Sequence, residues 1–415
     1  MNQPSNESVA DSILDRWRRQ IEQQLIPLEQ EIRNVTYTEQ ALEQCLRIMP
    51  NLTPVAAQLY RLLVELTIYS RVMQPLHRTT GSTTLSLGYH TRLAATEVQN
   101  RLQHLLSAPL APLEQAEERV VLGGLLKELR QSMLYEVRDT HVLLTCYYLL
   151  WRGWLMSLPQ AVPLLERELK LLERAFAQAD QQKDNRQAPR FAYNSGMLAR
   201  SYIYFLSNED EQALDWIRQA AERHDFYPER MPDLMGELAA AEQWERLSWW
   251  LEQLVPVLRR QYSDLQHYGD YWELVIQQLP DRESQMWQAL GRMLPLGGRI
   301  YEERLLAYGK YREWMDYQLS AGKDPANYKV TELKPLESNA PELLLPFYHQ
   351  AVERHMSHKN RDGYKAAVKL LKRLSKLYAK LKQDEVWREY IEQFAAQHSR
   401  LRALQEELRK GKLIP

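Results

Sequence analysis

Apolar residues recur every three or four positions along almost the whole chain, and this periodicity excludes most architectures. Leu14, Trp17, Ile21, Leu25 and Leu28 keep the spacing with charged residues between them, the pattern of a helix with one buried stripe. Leu59, Leu62, Leu63, Leu66 and Tyr69 repeat it after Thr53-Pro54, which reads as an N-cap followed by a first-turn proline. Val121, Leu125, Leu129 and Met133 do so again, as do Leu164, Leu165, Leu169, Leu172 and Phe176. The best strand candidate, Thr83–Leu87, sits in a Ser/Thr/Gly-rich segment, His77–His90, that reads better as an inter-helix loop. Only 15 of 415 residues are glycine, about half the usual ~7% share. Tight-turned β folds and phosphate-cradling loops use more. The expected fold class is all-α.

The helices also carry a repeated phrase. Asn208–Ile217, Glu242–Leu251 and Gly309–Tyr317 resemble one another when Glu211, Trp244 and Tyr311 are set equivalent. An apolar residue then follows three positions on (Leu214, Leu247, Trp314) and again at six (Ile217, Trp250, Tyr317). The spacings of 33 and 67 residues are about one and two periods of the 34-residue tetratricopeptide unit. Tyr364–Leu370 offers a fourth copy of the pattern. The expected architecture is an αα-hairpin superhelix, tetratricopeptide-like, preceded by an N-terminal helical region. Its expected divisions are a disordered tail over 1–9, N-terminal helices over 10–180, helical repeats over 188–321 and a basic C-terminal region over 340–415. Polar Ala179–Pro189 and the Gly322, Pro325 and Pro335 of Ser320–Asn339 mark the joints.

Enzymatic chemistry finds no support. Cys45 and Cys146 stand 101 positions apart, which makes neither a disulfide framework nor a zinc ribbon. His349, Glu353, His355 and His358 cluster on one expected helix, but their spacing is not that of a metalloprotease pair. Gly291–Arg299 lacks the spacing and the Lys-Ser/Thr of a phosphate loop, and Ser195 lacks the flanking glycines of a nucleophile elbow. No cofactor, metal or catalytic residue is expected. The most apolar stretch, Val142–Trp151, ends at Arg152-Gly153, short of the ~18 residues of a membrane span. The polar start, Met1–Glu7, has no signal-peptide pattern. A cytoplasmic protein with no membrane partner is expected.

Two surfaces stand out instead. The chain has 11 Trp and 23 Tyr against 6 Phe, and both favoured types combine apolar area with a polar atom. Trp244, Trp249, Trp250, Tyr268 and Trp272, with Tyr262 and Tyr271 nearby, are the candidate protein-binding residues. The other surface is basic. Lys359 to Lys382 holds nine basic residues and one acid, Asp362, on a chain of net charge −1. Lys365, Lys369, Lys372, Lys376 and Lys380 form a continuous helical stripe opposite Ala367, Leu370, Leu371, Leu374, Leu377, Tyr378 and Leu381. These five lysines are the candidate nucleic-acid-binding residues.

The C-terminal residues also resemble a known family. Leu344–Arg354, Lys359-Asn360-Arg361, Tyr364–Lys372 and the ending Ser399–Ile414 are similar to the C-terminal helical region of bacterial SWIM zinc-finger proteins. The resemblance is close over about 340–414 and looser over 200–339. It implies a helical interaction region, with a Swi/Snf-type helicase as a possible partner. The family's zinc motif, Cys-x-Cys followed by Cys-x-His, is missing, so no zinc ligand carries over to Cys45 or Cys146. The expected function is a non-enzymatic scaffold or adaptor that binds another protein. The alternative is an accessory factor that binds DNA or RNA through its basic helix.

Overall fold

The computed structural model describes residues 6–29, 32–74, 88–136, 141–182, 190–258 and 266–415. Twenty α-helices and no strand occur among them, so the protein is all-α. The Thr83–Leu87 segment, Tyr262, the connector residues 183–189 and residues 1–5 lie outside the described residues. The first helix already runs at Asn6, inside the expected tail.

The chain divides into two units, 1–263 and 264–415. Unit 1 holds α1 (Asn6–Leu25), α2 (Val35–Arg47), α3 (Pro54–Met73), α4 (Tyr89–Ser107), α5 (Ala116–Met133) and α6 (Val142–Leu150). A π-helical turn, Trp151–Leu155, extends α6. Then come α7 (Ala161–Gln181), α8 (Tyr193–Leu206), α9 (Asp210–Ala221), α10 (Leu234–Ala240) and α11 (Trp244–Leu258). The expected joint near 180–188 falls within this unit, where α7 and α8 pack together.

Local chemistry explains the starts and stops. Thr53 caps α3 by accepting from the Ala56 amide at 3.2 Å, with Pro54 in the first turn. The apolar stripe of α1 turns inward, burying Leu14, Trp17, Ile21 and Leu25, with Trp17 edge-on to Tyr60 at 5.3 Å. The very apolar Val142–Trp151 is a core segment, buried at Leu144, Cys146, Tyr147, Leu150 and Trp151. No described helix is long and apolar enough to cross a membrane.

Unit 2 holds α12 (Gln266–Gln278), α13 (Glu283–Arg292), α14 (Gly298–Ala307), α15 (Tyr311–Ser320) and α16 (Val330–Asn339). It ends with α17 (Leu344–Ser357), α18 (Arg361–Lys380), α19 (Asp384–Gln397) and α20 (Arg402–Lys410). Its core lies between α17 and α18, where Phe347, Ala351 and Val352 meet Ala367, Leu371 and Leu374. The pseudo-phosphate loop Gly291–Arg299 is the turn from α13 to α14.

Four hairpins close on one turn. The first helix ends in a left-handed residue, Asn208, Glu242, Gly309 or Lys382, with φ of 61°, 54°, 67° and 56°. The next amide then reaches back to a carbonyl five residues earlier. Glu209 to Tyr204, Gln243 to Leu238, Lys310 to Leu305 and Gln383 to Tyr378 all measure 2.9 Å, the signature bond of a Schellman stop. The second helix starts two residues after the left-handed one, at Asp210, Trp244, Tyr311 and Asp384. This geometry shifts the register inferred from sequence. Asp210, not Glu211, corresponds to Trp244 and Tyr311, and the spacings become 34 and 67 residues. The fourth such turn is at Lys382, whereas Tyr364 lies in the first turn of α18.

Candidate functional site

Counted from the left-handed residue, position +8 is aromatic in all four hairpins: Trp216, Trp250, Tyr317 and Tyr390. Trp250 alone of these is fully buried, while Trp216, Tyr317 and Tyr390 are half-buried. Trp250 is fully buried and its Nε1 donates to Asp210 Oδ1 at 2.9 Å. The same carboxylate takes two 2.7 Å bonds from the Arg246 guanidinium. Tyr268 and Trp272 are likewise buried. These three build walls and are unavailable as surface contacts. Trp244 and Trp249 are half-buried, Trp249 edge-on to Trp250 at 5.3 Å. The cluster is also divided, with Trp244, Trp249 and Trp250 in unit 1 and Tyr268 and Trp272 in unit 2.

The histidine cluster separates in the same way. His349 Nε2 stands 2.9 Å from the Tyr378 hydroxyl, and its ring packs on Tyr390 at 4.5 Å. His355 Nε2 meets Asp324 at 2.7 Å, while Glu353 and His358 are exposed. No group of three or more His, Cys, Asp or Glu among the described residues could hold a metal. Burial pushes the Cys45 thiol up to about 12 and the Cys146 thiol higher still, so both stay protonated and weakly nucleophilic.

Burial lowers the pKa of His349 below its ordinary value of 6.5, and this has a measurable consequence. A depressed folded value contributes stability that is present above the unfolded value and lost as pH falls. Protection factors of the α17 and α18 amides, corrected for the intrinsic pH dependence of exchange, are therefore expected to fall between pH 7.5 and 5.5. His349→Gln should flatten that dependence; an unchanged profile in the variant would assign it to other groups.

The lysine stripe emerges as the spacing requires. Lys365, Lys369, Lys372, Lys376 and Lys380 are all exposed on α18, and the opposing Ala367, Leu370, Leu371, Leu374, Leu377 and Tyr378 are buried. Asn360 caps the helix, accepting from the Gly363 amide at 2.7 Å. Lys365 approaches Asp362 at 3.5 Å and Lys380 donates to the Glu337 carbonyl. Lys369, Lys372 and Lys376 face no carboxylate among the described residues.

A third feature was not singled out from the sequence. Between α5 and α7 runs a groove of about 580 Å³. Leu122 and Leu126 of α5, Leu155 and Leu158, and Leu164 and Leu171 of α7 form its apolar lining. At its floor Arg130 Nη1 meets Glu168 Oε2 at 2.6 Å, and the Tyr147 hydroxyl donates to Glu168 Oε1 at 3.0 Å. Both ions are buried, and burial raises the Glu168 pKa against the pull of Arg130 and Tyr147. Exposed Arg119, Lys127 and Arg167 stand on the rim. Four cations thus line the groove against one carboxylate, on a protein of net charge −1.

Gly123 and Gly124 give the groove its shape. Mid-helix glycine costs about 1 kcal/mol relative to alanine, so a pair in one helix calls for a reason. A Cβ on Gly124 would fall 2.3 Å from Leu14 Cδ1, and this close approach seats α1 against α5. Gly123 has nothing within 4 Å of where its Cβ would be and lines the groove. A second groove of about 700 Å³ along α2, α3 and α4 has a related design, with Arg101 forked on buried Glu65 at 2.9–3.1 Å.

No family model matches the chain, and no solved structure matches it significantly. It is 32% identical over 230 residues to YwqB of Bacillus subtilis strain 168, an uncharacterized protein. That similarity covers 52% of this chain and 42% of YwqB, so the chain spans less than half of its relative's length.

Proposed function

We propose that the protein is a non-enzymatic, cytoplasmic scaffold that binds another protein, using the α5–α7 groove to hold an amphipathic helix with acidic flanks. The observation that carries this reading is the pairing of an apolar lining with a basic rim. An inserted helix would bury leucine-type anchors between α5 and α7 and set its acids against Arg119, Lys127 and Arg167. The open face of Gly123 lets such a helix approach the α5 backbone. The shared turn of four hairpins supports a tetratricopeptide-like superhelix as the frame. The resemblance to SWIM zinc-finger proteins makes a Swi/Snf-type helicase the first partner to test.

Affinity capture from the native host, with nuclease present, tests the reading when wild type is compared with Gly123→Trp and with Lys127→Glu/Arg167→Glu. The bulky residue fills the groove and the reversed charges repel the acidic flanks. Each variant should lose the partner by more than tenfold, the scale of a central interface contact. Equal capture by all three proteins would place the interface elsewhere.

The basic stripe supports a second reading, an accessory factor that binds DNA or RNA. Its observation is three exposed lysines on one face without a carboxylate partner among the described residues. Replacing Lys369, Lys372 and Lys376 by glutamine should reduce the slope of log affinity against log salt by about 3 units, roughly one per phosphate contact. An unchanged slope would remove nucleic acid from consideration.

A further inference from the structure

Unit 2 contains a smaller cleft that shares Lys376 and Lys380 with the basic stripe. It has a volume of about 270 Å³ and lies between α16, α17 and α18. Leu333 and Leu377, both buried, form its apolar wall. Arg373, Lys376 and Lys380 line it together with the Tyr348 hydroxyl and a single acid, Glu337.

The cleft is organised before any ligand arrives. The Arg373 guanidinium donates to the Pro325 carbonyl at 3.3 Å and lines the cleft beside buried Tyr348. The phenol of Tyr348 has a proton to donate. Lys380 is tied to the main chain of α16 through the Glu337 carbonyl. Lys376 has no carboxylate partner among the described residues. A fork-shaped guanidinium, two ammonium groups and a phenol on an apolar wall form a recurrent oxyanion arrangement. Three cations against one carboxylate leave two positive charges, which match a dianion better than a monoanion.

We propose that this cleft binds a phosphomonoester dianion, with Arg373 as the fork, Lys376 and Lys380 as point charges and Tyr348 as a neutral donor. Glu337 sets the charge balance. Its single negative charge against the three cations of the lining leaves a net charge of two to be matched by the ligand. A diester carries one negative charge and leaves one cation of the cleft unmatched. A terminal phosphate carries close to two at pH 7.5, above its second pKa of about 6.

Calorimetric titration of the full chain with methyl phosphate and dimethyl phosphate, at low ionic strength and pH 7.5, tests this assignment. One site for methyl phosphate is expected, with dimethyl phosphate at least tenfold weaker. Arg373→Met should weaken methyl phosphate about tenfold, the scale of a charge-assisted fork. Lys376→Gln, on the exposed surface, should weaken it several-fold without disturbing the fold. Glu337→Gln should tighten binding several-fold, a gain that misfolding cannot produce. No binding of methyl phosphate, equal binding of the two esters, or a Glu337→Gln variant that binds no better would each overturn the proposal. A free phosphate ester and a phosphoserine side chain share this chemistry, so inorganic phosphate and a phosphoserine peptide are the competing arms. Displacement by either supports the site and identifies its source; displacement by neither overturns it.

Discussion

Replacing Glu168 with alanine is expected to lower the stability of unit 1 by about 3–5 kcal/mol, the usual result of stranding one member of a buried ion pair. Arg130 would keep its charge inside the protein after losing a 2.6 Å partner, and the Tyr147 hydroxyl would lose its acceptor at 3.0 Å. The double variant Arg130→Met/Glu168→Leu should recover most of the loss, because apolar residues of similar volume avoid the desolvation cost. Urea unfolding, read by hydrogen exchange in α5 and α7, gives both numbers. A single-variant loss under about 1 kcal/mol would mean that water already reaches the groove floor, and the pair would be a surface pair in effect.

Trp250→Ala should be comparably costly, at about 3–5 kcal/mol for a large buried aromatic. It removes a fully buried indole, packed edge-on against Phe205 at 5.9 Å, together with the bond its Nε1 donates to Asp210. Trp249→Ala and Trp244→Ala, at half-buried positions, should cost about 1 kcal/mol or less. Thermal unfolding of the three variants separates seam from surface. If Trp250→Ala unfolds like wild type, the indole is not part of the seam and its role as a partner contact returns.

The legible features were those set by helical spacing. Lys365 through Lys380 share a face because 3.6 residues make a turn, and no tertiary contact was needed to see it. The aromatics were ambiguous on the same rule, since the period that puts Trp250 on one face of α11 and Trp272 on one face of α12 does not say whether either face is buried. Tyrosine and tryptophan suit both a seam and a surface. The turn register slipped because only Gly309 marks a left-handed position with the residue expected there, whereas Asn208, Glu242 and Lys382 mark theirs with side chains. The α5–α7 groove needed the pairing of helices far apart in sequence. Its one local trace was Gly123-Gly124, a costly pair whose meaning depends on where α1 lies.

The turn itself bears on the history of the chain. A non-glycine residue in a left-handed conformation costs only about 1–2 kcal/mol, a penalty that a packed hairpin can absorb. Such a turn can therefore be built without the glycine that would announce it, as the side chains at 208, 242 and 382 illustrate. If these hairpins descend from one duplicated ancestor, their common origin survives in carbonyl-to-amide distances more faithfully than in letters. Kinship among such units is then better sought by superposing turns than by aligning residues.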